Sequence, residues 1–179
     1  SRIAPARFLH SLFLARPIAR LFVTIFSCSY FLTEILERNP GYLSWLVEKG
    51  TLEHTKAFSA YRFELSRQIE PFRDPRRRIN SLKRYFRREM LRIGARDLMG
   101  LAGVEDVTAE LSFLADAIVE TVACMAFEEL AGSAGPGDTA WSFDTAIPYH
   151  RFAVISLGKL GGTELNYSSD IDLMYVCEA

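Results

Sequence analysis

The sequence predicts a mainly α protein whose C-terminal end begins an α/β domain with a truncated sheet. Three observations carry that reading. Apolar residues recur at helical spacing through the first two thirds of the 179 residues. Residues 131–148 then collect three glycines, two prolines and several small polar side chains, the composition of a loop. Beyond them "FAVISL" and "IDLMYV" are short, β-branched apolar runs, better strands than helices. The boundary is expected inside the loop, with a helical module over residues 1–135 and an incomplete second domain over residues 149–179.

The elements follow in order. Phe8, Leu12 and Phe13 open an apolar face, and Leu21, Ile25, Leu32, Ile35 and Leu36 keep helical spacing up to Asn39-Pro40-Gly41, a stop signal. Tyr42, Leu43, Leu46 and Val47 predict a short amphipathic helix closed by Gly50, and Ala57, Tyr61, Leu65 and Ile69 another ended by Pro71. Leu82, Phe86, Met90 and Ile93 mark the apolar face of a basic helix. Leu111, Leu114, Ile118, Val122 and Met125 mark that of a helix facing a core.

Composition narrows the class. An apolar fraction of 49% is enough for a real core, and a net charge of −1 excludes a globally basic nucleic-acid binder. The charge is uneven: the stretch from Arg73 to Arg96 carries +8 and the remainder −9, so an anionic partner would be sought there. Runs of arginine on one face are more often solvated or paired within the molecule, and Arg87, Arg88, Arg92 and Arg96 could pair with acids of the later domain. Cys28, Cys124 and Cys177 have neither disulfide nor zinc spacing, which fits a reducing cytoplasm. The apolar stretch from Leu21 to Leu36 is interrupted by polar residues and short of the ~20 a membrane span needs, so it reads as a core helix and no membrane partner is expected. The chain opens on Ser1 without a signal-peptide pattern, and both ends are expected to be cut from something longer.

The chemistry is concentrated in "LGKLGGTELNYSSDIDLMYV". On a strand, Asp170 and Asp172 would face the same way about 6.5 Å apart while Ile171 turns into the core. Two such carboxylates repel, a divalent cation offsets the repulsion, and Mg²⁺ suits hard oxygen ligands while leaving room for substrate phosphates. Two ions bridged by carboxylates can stabilise both oxygens of a phosphoryl displacement. Gly158, Gly161 and Gly162 allow positive φ and close backbone approach, so their N–H groups can meet phosphate oxygens, and Lys159 adds a point charge. A glycine turn alone is usually only a turn, and Asp-x-Asp alone a solvated strand end. Their order and spacing make the combination more specific.

A glycine motif followed twelve residues later by Asp-hydrophobic-Asp resembles the nucleotidyltransferase superfamily signature. More narrowly, "GKLGGTELNYSSDIDL", "KRYFRREMLRIGARDLMGL" and "ELSFLADAIVE" are similar to the bacterial glutamine synthetase adenylyltransferase/adenylyl-removing family, and the wording "ELNYSSDID" is closer to its N-terminal, adenylyl-removing copy. Thr163 stands where the family's "GGRELN" has arginine. The resemblance implies that the C-terminal part begins a nucleotidyltransferase catalytic domain. It implies Asp170 and Asp172 as catalytic metal ligands for Mg²⁺, two ions in the complete site, and Gly158, Lys159, Gly161, Gly162 and Ser169 around the phosphates of ATP or ADP. It also implies phosphorolytic removal of AMP from a tyrosine of glutamine synthetase, ATP-dependent adenylylation in a companion domain, and a nitrogen signal-transduction protein as a further partner. A third carboxylate would come from a later strand, so these residues alone are expected to be inactive.

Other readings stay open: a relative of the uridylyltransferases that modify a nitrogen signal protein, or a non-catalytic helical interaction module. His10, His54 and His150 have no partner at ligand spacing. Asn166-Tyr167-Ser168 matches a glycosylation acceptor by chance, Trp45 and Trp141 read as packing residues, and Glu164 as a helix-start residue.

Overall fold

The computed structural model describes residues 16–133 and 152–177. Its elements are α1 (Arg16–Cys28), α2 (Tyr30–Arg38), α3 (Gly41–Leu46), α4 (Phe58–Ile69), α5 (Pro75–Leu98), α6 (Val104–Ser133), β1 (Phe152–Ser156), α7 (Gly158–Gly161) and β2 (Leu173–Cys177). It is therefore mainly helical, with one two-stranded antiparallel sheet, as the sequence predicts. Phe8, Leu12, Phe13, His10, Trp141 and His150 lie outside the described residues.

The chain divides into two compact units, Ser1–Thr55 with Arg87–Val104, and Lys56–Phe86 with Glu105–Ala179. In the first, the expected single helix through Leu36 is two helices. Ser29 breaks it by taking an extended conformation (φ −143°, ψ 106°) and capping α2, its Oγ accepting the Leu32 N–H at 3.2 Å. Leu21, Ile25, Leu32, Ile35, Leu36, Leu43 and Leu46 are all buried, as their spacing predicts. Gly94 on α5 admits close approach: a Cβ there would sit 2.7 Å from a Leu32 methyl.

Three of these arginines find partners within this unit. Arg92 is fully buried and its Nε donates to Glu89 Oε2 at 2.7 Å on the same helix, while Nη1 donates to the His54 carbonyl at 3.3 Å. Arg96 donates to the Leu52 carbonyl and to Thr55 Oγ1, closing the 51–55 turn onto the helix. Arg88 lies over the Trp45 ring at 4.8 Å, which makes Trp45 a packing residue. Helical spacing cannot distinguish a solvated arginine from one satisfied by loop carbonyls.

In the second unit polar links tie α4, the first half of α5 and α6 together. Tyr85 donates to Glu64, Gln68 to Ser81, Arg62 pairs with Glu120 and Arg78 with Glu128. Glu110, buried on α6, accepts from the Tyr61 hydroxyl (3.1 Å) and the Lys56 N–H (2.9 Å). Three face assignments differ from expectation. Ala57 is exposed, because it caps α4 instead of lying on its inner face. Phe86 is exposed, because the inward stripe runs through Leu82, Tyr85 and Glu89. Val122 is exposed, because the buried stripe of α6 passes Leu111, Leu114, Ala117, Thr121 and Cys124. The helix also continues to Ser133, three residues into the expected loop. The three cysteines are free, and burial, with Glu120 and Glu128 beside it, pushes the Cys124 thiol up to about 11.

Candidate active site: the glycine loop and the Asp-Ile-Asp segment

The motif folds as a hairpin interrupted by a compact loop. β1 and β2 pair antiparallel with Phe152 opposite Cys177 and Ser156 opposite Leu173. The ladder continues one step further, the Leu157 N–H donating to the Asp172 carbonyl at 2.9 Å. Leu157 and Asp172 are thus fixed opposite each other at the mouth of the hairpin. The chain then turns at Gly158, whose φ of +57° is the left-handed region that glycine enters without steric cost. A Cβ on Gly158 would sit 3.7 Å from Asp172 Oδ2, so the carboxylate lies beside the glycine bend.

The glycines divide their labour differently from the expectation of positive φ at all three. Gly161 and Gly162 are not left-handed; Gly162 has φ −88°. Gly161 is needed for space, since a Cβ there would meet the Ser156 carbonyl oxygen at 2.5 Å. Their N–H groups are also occupied, donating to the carbonyls of Leu157 and Gly158 at 3.2 and 3.1 Å. The amides at the entry of the turn, those of Gly158, Lys159 and Leu160, have no backbone acceptor among the described residues, as the first amides of any helical turn do.

The loop closes with a Schellman motif. The Glu164 N–H reaches the Lys159 carbonyl (2.8 Å) and the Thr163 N–H reaches that of Leu160 (3.0 Å). This makes Thr163 the left-handed residue, with φ +60°, a position that Gly100 fills (φ +68°) at the equivalent end of α5. Glu164 is accordingly a helix-exit residue, not a helix-start residue. Leu160 and Leu165 are buried and anchor the loop.

The two aspartates are not equivalent. Asp170-Ile171-Asp172 precedes β2 instead of opening it, and Ile171 is 42% exposed instead of turning into a core. Strand alternation therefore governs Asp172, held by its carbonyl, while Asp170 lies outside the ladder and is exposed. Ser169 is engaged with Asn166: its Oγ donates to Asn166 Oδ1 at 2.7 Å and accepts the Asn166 N–H at 3.2 Å. Lys159 is exposed and extends from the turn. Asn166 Oδ1 also accepts the Ser168 N–H, so this side chain serves the turn. Among the described residues no group of three or more His, Cys, Asp or Glu side chains is arranged to hold a metal ion.

Sequence reading missed what supports the loop. Ser112 and Asp116, one turn apart on α6, meet its two stems: the Ser156 hydroxyl donates to Asp116 Oδ1 at 3.4 Å, and the Leu165 N–H to Ser112 Oγ at 3.1 Å. Phe127, further along α6, meets Phe152 edge-on at 5.0 Å. Burial raises the Asp116 carboxyl above its ordinary value of 3.8, and the Ser156 hydrogen bond offsets part of this. The available signal was a serine and an aspartate at i and i+4 within "ELSFLADAIVE".

The hairpin carries a glycine loop with acidic residues at its mouth, and comparison with known proteins places the chain among adenylyltransferases. The family model for glutamate-ammonia ligase adenylyltransferase matches residues 19–179. The chain belongs to that family. It is 36% identical over 147 residues to the bifunctional glutamine synthetase adenylyltransferase/adenylyl-removing enzyme of Shewanella oneidensis. That match covers 80% of this chain and 15% of the relative. No helix among the described residues is long and apolar enough to cross a membrane.

Proposed function

We propose that this chain contributes part of the adenylyl-removing site of a bifunctional adenylyltransferase, a cytoplasmic enzyme that acts on glutamine synthetase and controls nitrogen assimilation. The observation that carries the reading is the Asp172 carboxylate beside the Gly158 bend. A hard anionic ligand and a turn with open amides adjoin there, which is the pairing a metal-bound nucleotide requires.

In this reading an oxygen of orthophosphate attacks the phosphorus of the AMP–tyrosine diester. The bond from phosphorus to the tyrosine oxygen breaks, that oxygen takes a proton, and ADP leaves with the new P–O bond. The amides of Gly158, Lys159 and Leu160 and the Lys159 ammonium bind phosphate oxygens, and the small Gly161 and Gly162 keep the turn tight. Ser169 holds the approach to the acidic segment through Asn166. Asp170 and Asp172 would hold Mg²⁺, in the complete site two ions, whose charge neutralises phosphate oxygens during displacement. ATP-dependent adenylylation belongs to a companion domain, and a nitrogen signal-transduction protein to its regulation.

The test is ADP release from adenylylated glutamine synthetase with orthophosphate and Mg²⁺. A polypeptide carrying the whole domain should release ADP and its Asp172→Asn variant should not. These 179 residues alone should release none, since they offer two carboxylates. Full turnover by the Asp172→Asn variant would refute the assignment.

A further inference from the structure

We infer that Ser112 and Asp116 are positioning residues for the phosphate-binding loop, a clamp by which one turn of α6 sets where the Gly158 bend stands relative to Asp172. The inference rests on the nucleotidyltransferase reading of that loop.

The geometry is specific. Ser112 is fully buried, its Oγ donating to the Thr108 carbonyl at 2.8 Å and accepting the Leu165 N–H at 3.1 Å. A hydroxyl has one proton and two acceptor sites, so spending the proton inside the helix leaves an oriented acceptor for the loop. Asp116 takes the opposite stem through Ser156. Ser156 is also the residue whose carbonyl Gly161 packs against, and its neighbour Leu157 holds the Asp172 carbonyl. A shift of Ser156 therefore passes to the turn through one contact and to Asp172 through the other.

Nothing in α6's own stability calls for these groups. A serine in a helix interior bonding back four residues is neutral to slightly unfavourable, and a carboxylate raised by burial is unfavourable too. The polar pair instead selects one position of the loop on the helix, and a misplacement of an ångström at a phosphate site is costly in rate.

The test compares Ser112→Ala, Asp116→Ala and Asp116→Asn in the intact chain by amide hydrogen exchange and by affinity for ADP with Mg²⁺. Asn keeps an oxygen to accept from Ser156 and so serves as the conservative rescue. Each alanine variant should speed exchange over residues 158–165 and weaken Mg²⁺-ADP affinity by about tenfold, as expected for losing one hydrogen bond that fixes the loop. Helix content by circular dichroism should stay unchanged, and Asp116→Asn should restore both readouts. Unchanged loop exchange in both alanine variants overturns the clamp. Faster exchange with undiminished nucleotide affinity overturns the positioning role and leaves a structural one. If the parent itself binds no Mg²⁺-ADP while its loop exchange still responds to the variants, the nucleotide reading has failed and the clamp is structural only.

Discussion

Asp172 and Leu157 face each other as the last backbone-paired residues of the hairpin, and that single hydrogen bond of 2.9 Å brings the Asp172 carboxylate beside Gly158. Sequence separation hides the relationship: fourteen positions lie between Leu157 and Asp172, and the loop folds most of them back on themselves.

Gly161→Ala should damage the loop although its φ is ordinary. The added methyl would lie 2.5 Å from the Ser156 carbonyl oxygen, which is backbone and cannot turn aside. Overpacking of this kind costs about 1–3 kcal/mol. Thermal unfolding should show the loss, and exchange of residues 158–165 should accelerate. Gly162→Ala, whose nearest neighbours would be 3.7–3.8 Å away, should be mild by the same measures.

Thr163→Gly should stabilise the protein. Thr163 is β-branched and holds φ +60°, where a Cβ costs roughly 1–2 kcal/mol, partly offset by the greater freedom glycine gains in the unfolded chain. Denaturant midpoints should rise by the equivalent of about 0.5–1 kcal/mol. Gly100 already occupies the corresponding position after α5, and Gly100→Thr should move stability the other way.

Arg92 and Glu89 form a buried pair on one helix face, 2.7 Å apart. Arg92→Leu alone, or Glu89→Leu alone, should cost about 3–5 kcal/mol because a buried charge is left behind. The double substitution should cost much less than the two losses added. Urea unfolding of the four proteins measures the coupling directly.

Asp116→Asn should change how stability depends on pH. Burial raises the folded carboxyl, so its favourable contribution is complete below the unfolded value near 3.8 and is lost as pH rises through the folded value. Asparagine has no proton to lose. The variant's advantage over the parent should be smallest in acid and grow toward neutral pH, as judged by paired urea midpoints.

The helices were legible because their boundaries have chemical causes. Pro71 and Gly100 stand where helices end, and Leu21, Ile25, Tyr61, Leu65 and Leu114 are buried as their spacing requires. Apolar periodicity continues across Ser29, so spacing alone hides the cap, and one capping serine is enough to reset a helix. The site was legible as composition and order: the glycine turn, then the acidic segment, then a strand. Its inner geometry was not. Which glycine needs positive φ depends on the path of the chain, so Gly158 and Thr163 had no distinguishing local signal. Strand spacing places Ile171 inside, whereas the ladder extends only as far as Asp172. Ser112 and Asp116 act on residues 53 and 40 positions away, and their i, i+4 spacing on α6 does not say which residues those are.

The most direct test of the central claim replaces Mg²⁺ with paramagnetic Mn²⁺ in the presence of ADP and follows the backbone amide signals. The account predicts broadening concentrated on Gly158 to Thr163 and on the segment around Asp172, abolished in Asp172→Asn with the fold intact. Broadening elsewhere on the protein, or of equal strength at the loop in Asp172→Asn, would contradict it.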